Sequence, residues 1–142
     1  MTHARARRTL LVAALCGLAS LAALAVVTAS TSAGSSDRVS ARLSDFRITA
    51  TPSSAEAGRV TFAVRNTAAI EHELVVIRTR RRANDLPLRN GRASERGSRG
   101  EVQLDGGERG RLALNLSAGH YVLICNIGRH YQAGMRRDFT VR

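Results

Sequence analysis

The chain has 142 residues, enough for one domain with a single packed core plus short extras. Hydrophobic residues make up 44% but aromatics only 4%, with no Trp, so aliphatic side chains must fill that core. The net charge is +11 and every basic residue is Arg, yet these arginines gather in a leader and a loop without an aromatic stacking platform, which argues against nucleic acid as a partner.

Residues 1–33 read as an export signal or an N-terminal membrane anchor. Arg5, Arg7 and Arg8 precede an apolar run from Leu10 to Ala29, and Val27-Thr28-Ala29 and Thr31-Ser32-Ala33 offer small residues for cleavage. The Arg7-Arg8-Thr9-Leu10-Leu11 run resembles a twin-arginine signal. The apolar run is near the length that spans a bilayer, so retention as an anchor stands beside cleavage. Cys16 does not fit a lipoprotein site, because Leu15 before it is too large. Removing the leader takes away three arginines and no acid, leaving about +8, and leaves one Cys and one Met in the rest of the chain. The expected location is the periplasm or the outer face of the cytoplasmic membrane.

Residues 34–38 form a polar linker, and the domain is expected over 39–142. Val39 to Ala50 alternates roughly and reads as strand broken near Asp45; Thr51 to Ser54 is a turn. Arg59 to Asn66 alternates cleanly, with Val60, Phe62 and Val64 on one face. His72 to Thr79 is a β-branched run of central-strand type. Residues 78–100 hold Arg80-Arg81-Arg82, Pro87 and several Gly, and read as a long, exposed, Arg-rich insertion, either a solvated loop or a basic docking surface. Strand character resumes at Glu101–Leu104, then at Arg111–Leu116, His120–Asn126 and Arg137–Arg142, with Phe139 and Val141 facing inward. Seven to eight short strands with turns between them and no amphipathic helix point to an all-β sandwich or Greek-key barrel. Strand ends converge at one pole of such a fold.

The chemistry concentrates in Cys125-Asn-Ile-Gly-Arg-His130-Tyr-Gln-Ala-Gly-Met135. This loop carries a soft thiolate, an imidazole and a thioether, and His72 stands at the start of the β-branched strand. Two His, one Cys and a weakly bonding Met are the ligand set of a mononuclear blue-copper electron-transfer site. An unpaired thiol in an oxidising compartment also needs burial or ligation. Structural zinc has no need for the Met. A Cys–His nucleophile needs an orienting Asn or Asp and a cleft, and Asn126 should point to the opposite face of its strand. The absence of Cys-x-x-Cys-His excludes c-type haem attachment. His120, just after a turn, is expected to be exposed and not to ligate. Asn115-Leu116-Ser117 matches a glycosylation sequon but lies in a strand.

The segments Asn66 to Ile77 and Ser117 to Met135 resemble the cupredoxin family, and the Cys-x4-His-x4-Met spacing is similar to its sulfocyanin and rusticyanin branches. The resemblance covers roughly residues 40–142. It implies a Greek-key β-sandwich, one type 1 copper cycling between Cu(II) and Cu(I), and electron transfer rather than enzymatic catalysis. It carries over His72, Cys125 and His130 as strong ligands and Met135 as the axial one. Gly128-Arg129 stands where sulfocyanin-like members often have Pro-Gly, and Arg129 should favour Cu(I). The expected form is a monomer whose partner is an acidic or membrane-bound redox protein. Storage or delivery of copper without electron turnover is the alternative. Ile127, Tyr131, Ala133 and Gly134, ringed by Arg129, Arg136 and Arg137, are the expected docking patch.

Overall fold

A computed structural model describes residues 37–142; the leader, His3 and Cys16 lie outside the described residues. The described chain is built from eleven strands: β1 (Asp37–Ser44), β2 (Arg47–Thr51), β3 (Ser54–Ala55), β4 (Gly58–Asn66), β5 (His72–Arg78), β6 (Leu88–Arg89), β7 (Arg92–Ala93), β8 (Ser98–Leu104), β9 (Arg109–Leu116), β10 (Gly119–Ile124) and β11 (Arg136–Val141). β3, β6 and β7 have only two residues each, so the principal strands match the sequence reading in number. The first strand starts at Asp37, inside the expected linker.

The strands form two sheets, β2-β1-β4-β9 and β3-β11-β10-β5-β8, with β6 and β7 as a separate hairpin. Alternation decides which side chains meet between the sheets. β1 contributes Val39, Ala41 and Leu43, β4 contributes Val60, Phe62 and Val64, and both sets are buried. Opposite them lie Leu74 and Val76 of β5, Tyr121 and Leu123 of β10, and Phe139 and Val141 of β11. Phe62 and Phe139 meet edge-to-face, with centroids 5.5 Å apart. With no Trp, these two rings supply the bulk that aliphatic side chains alone would not.

The segment between β5 and β8 keeps most of the exposure expected over 78–100 but is not a detached loop. It folds over the outer face of the second sheet, where Ala83, Leu86, Ala93 and Tyr131 bury Val75, Ile77, Val122 and Ile124. The cause lies in β5 and β10, which are apolar on both faces. Left uncovered, each such side chain would forfeit about 1.5–3 kcal/mol. The arginines of the segment face solvent, as does Leu88, while Ala83, Leu86 and Ala93 face the sheet. β8 also begins at Ser98, three residues before the strand expected there.

Candidate metal centre

His72 opens β5 on the same face as Leu74 and Val76, so it ends a column of core side chains. Cys125 follows β10 on the face of Tyr121 and Leu123 and does the same for the neighbouring strand. β5 and β10 are paired, with Ile124 opposite Val75, so the two column ends are adjacent. Both side chains are fully buried. The core therefore terminates, at one pole, in an imidazole beside a thiol.

The chain then turns back. His130 N–H donates to Ile127 O at 3.0 Å and Met135 N–H to His130 O at 3.0 Å. Cys125 N–H donates to Met135 O at 3.0 Å, which extends the β10–β11 ladder by one pair and closes the loop at its base. Gly128 at φ 52° and Gly134 at φ 115° take left-handed backbone that a side chain would strain. This turn brings half-buried His130 over the pole. Met135 is fully buried at the loop's end, within the same core cluster as Cys125.

His72, Cys125 and His130 form a group of three donors suited to one metal ion. The two Nδ1 atoms lie 3.2 Å apart. Cys125 Sγ is 3.4 Å from His130 Nδ1 and 3.8 Å from His72 Nδ1. The point equidistant from three such vertices is about 2.0 Å from each, close to the bonding distances of first-row metal ions to imidazole and thiolate. The donors thus fit a soft, late transition-metal ion without rearrangement.

The surroundings favour the ligating form of the His72 imidazole and restrain the thiol. Burial pushes the His72 pKa down, the neighbouring His130 adds to this, and Asp45 opposes it, so His72 is held neutral. The Asp45 carboxylate lies 3.8 Å from the otherwise unpartnered His72 Nε2, an electrostatic contact too long for a hydrogen bond. Burial pushes the Cys125 thiol up, while the backbone N–H groups of Glu73 and Ile127 pull it back. Without metal this Cys is a buried thiol; a bound cation would deprotonate it.

Several participants carry no sequence signal of their own. Glu73 and Asn126, next to His72 and Cys125, are buried and hydrogen-bonded across the strands. Phe46 occupies the β1–β2 turn at φ 56° and meets the His130 ring edge-to-face at 5.3 Å. Tyr131 is not part of an exposed patch: it is buried, and its hydroxyl accepts the Leu86 N–H at 3.0 Å. A tyrosine at that position is more useful as a pillar for the covering segment than as docking surface. His120 lies at the other end of β10, half-buried rather than exposed, with Nδ1 2.9 Å from Thr79 O and Nε2 3.0 Å from Asp138. It is remote from the donor triangle.

No family model matches the sequence, and no curated protein matches it either. The fold does have solved likenesses. Reduced auracyanin from the photosynthetic bacterium Roseiflexus castenholzii is 19% identical, with a TM-score of 0.58 over 77% of this chain and 99% of that one. Auracyanin A, described as a "blue" copper protein from Chloroflexus aurantiacus, is 20% identical, with a TM-score of 0.55 over 74% and 99%. Rusticyanin from Thiobacillus ferrooxidans is 15% identical, with a TM-score of 0.58 over 74% and 76%. At these identities the shared property is the fold, a cupredoxin-like Greek-key sandwich as the sequence resemblance implied.

Proposed function

We propose that this chain, whose fold is that of the cupredoxins, is an exported mononuclear type 1 copper protein that carries single electrons between redox partners. One observation carries the reading: two imidazole nitrogens and a thiol sulfur, from three separate places in the fold, surround a point at metal-bonding distance from all of them. Copper, when bound, supplies a one-electron Cu(II)/Cu(I) couple. His72, Cys125 and His130 would hold it as strong ligands and Met135 would add a weak thioether donor.

The chain's own contribution is rigidity and exclusion of water. His72 and Cys125 are fixed by paired strands and buried, so neither moves far on a change of oxidation state. His130 is the least buried of the three donors and forms the expected route for the electron. Phe46, whose ring meets that of His130, is 43% exposed, and Ile70, two residues before His72, is 47% exposed. These two replace Tyr131 in the docking patch, together with exposed Ala133 and the half-buried Ile127. Small apolar contacts ringed by charge suit a transient redox encounter. Arg129 and Arg136 would steer an acidic partner towards that rim. The protein is proposed to act as a monomer, outside the cytoplasm and either free or anchored.

A visible spectrum of the copper-loaded protein tests the site. An intense charge-transfer band at about 600 nm is expected, absent in Cys125→Ser. A colourless wild type after copper addition would remove the proposal. Cyclic voltammetry then separates carriage from storage, since a carrier gives a reversible one-electron wave.

A further inference from the structure

We propose that the outer face of the β2-β1-β4-β9 sheet is a docking surface for an anionic phospholipid bilayer. The proposal does not depend on the metal site.

The outward positions of β1, β4 and β9 carry Arg38, Arg42, Arg59, Arg65, Arg109 and Arg111, all exposed, and no Asp or Glu. Strand register stacks three of them in one row: Arg42 lies opposite Arg65, and Arg65 opposite Arg109. Adjacent strands are only about 4.8 Å apart. Like charges placed directly opposite in this way destabilise a sheet. None of the six makes a salt bridge with a carboxylate among the described residues. Arg42 donates instead to the neutral Thr67 Oγ1 at 3.1 Å. The fold therefore sustains a row of uncompensated charge, and an anionic partner is what would relieve it.

The face is also open to a large partner, and Arg38, Arg65, Arg109 and Arg111 rim a shallow hollow on it. The covering segment lies on the other sheet, leaving this one bare. Between the arginines stand Ser40, Thr61 and Ala63, which raise no ridge, and the exposed large hydrophobics Phe46, Ile70 and Leu88 all lie outside these three strands. With no aromatic among its outward positions, it offers no platform for nucleobases.

The chain's course selects lipid over an acidic protein. β1 enters this sheet at Asp37, and the sequence upstream holds the apolar run that ends at Ala29. Residues 30–36 can reach about 25 Å at full extension. A retained apolar run would thus keep β1 at the bilayer and raise the local concentration of headgroups facing the row. With the sheet flat on the membrane its strands run along the surface. The donor triangle, at the strand ends near Leu43 and Asn66, then faces sideways and stays open to a diffusing partner.

Flotation of the full chain with vesicles tests this. Phosphatidylcholine alone reports the apolar leader; phosphatidylcholine mixed with phosphatidylglycerol adds the charge. Binding should rise with phosphatidylglycerol and that rise should vanish in high salt. Replacing Arg42, Arg65 and Arg109 together by Gln should cut the rise by about tenfold or more. The same change at Arg80, Arg81 and Arg82, off this face, should leave it intact. The triple-Gln variant relieves repulsion, so its Tm should equal or exceed that of wild type; if it fails to fold, the single reversal Arg65→Glu at the centre of the row should cut the rise instead. No rise, a rise indifferent to the face variant, or an equal loss in the loop variant would overturn the proposal. So would face-dependent binding of polyglutamate without binding to the anionic vesicles, which would mark an acidic protein as the occupant.

Discussion

The Glu73 carboxylate accepts the backbone N–H of Asn126 at 2.8 Å, while the Glu73 N–H donates to Cys125 Sγ at 3.4 Å. Each residue following a candidate donor thus grips the chain that carries another. Glu73→Ala would leave the Asn126 N–H unpaired in a buried place, at a cost of about 1–3 kcal/mol. Urea denaturation of the metal-free protein should show that loss. Glu73→Gln should retain most of the stability, because its amide carbonyl still accepts. An Ala variant as stable as wild type would mean that the grip carries no structural weight.

The candidate donor set was legible in the sequence because Cys125, His130 and Met135 fall in one short loop and His72 opens a β-branched strand. Parity then did the rest: His72 shares a face with Leu74 and Val76, Cys125 with Tyr121 and Leu123, so both had to end inner-face columns. Glu73 and Asn126 were not legible, because their roles depend on cross-strand register. Asn126 does point away from the donors, as its position in the strand suggested, and there it binds the covering segment. That segment looked exposed because arginine dominates its composition. The opposing signal lay elsewhere, in a β5 and a β10 apolar on both faces, which require cover on both.

Metal loading should release protons. Burial holds the Cys125 thiol above its ordinary 9.0 and His72 below its ordinary 6.5. Near pH 8 the thiol therefore carries its proton and His72 does not. Loading should release about one proton per ion, and affinity should rise with pH. Calorimetry in buffers of different ionisation enthalpy measures the count. A count of zero would place metal on nitrogen alone.

The same directions set the stability of the metal-free protein. His72, depressed, contributes stability that is full above pH 6.5 and lost as pH falls through its lower folded value. Cys125, raised, contributes stability that is full below pH 9.0 and lost as pH rises through its higher folded value. Glu73 is raised chiefly by burial and works against His72 above pH 4.5, so the acid limb is best followed in Glu73→Gln. A broad maximum between about pH 6.5 and 9.0 is expected in thermal unfolding. An optimum below pH 6 in that variant would contradict the neutral burial of His72.

Met135→Leu tests the axial assignment. Leucine conserves volume in a buried position, so the fold should persist with a change of less than about 1.5 kcal/mol. Loss of the thioether removes a donor that favours Cu(II), so the potential should rise. About 59 mV corresponds to a tenfold change in relative affinity for the two oxidation states. The charge-transfer band should remain, because Cys125 still supplies it. An unchanged potential would make Met135 a packing residue.

Asn126 Oδ1 accepts the Ala93 N–H at 2.7 Å, and its Nδ2 donates to Ala93 O at 2.9 Å and to the Glu95 carboxylate at 2.7 Å. One side chain thus pins the arginine-rich segment to the strand that carries Cys125. Asn126→Ala would leave both Ala93 backbone groups unpaired, at about 1–3 kcal/mol each, enough to raise the open population of the segment by about tenfold or more. Trypsin cleavage after Arg89, Arg92 or Arg96 should accelerate by that factor. The visible band should survive, because Cys125 keeps its Glu73 contact and its ladder pair with Met135. Loss of the band before cleavage would place the main role of Asn126 in the metal loop; an unchanged cleavage rate would show that the Leu86–Tyr131 and Ala83–Asp138 contacts, with the apolar cover, hold the segment down without it.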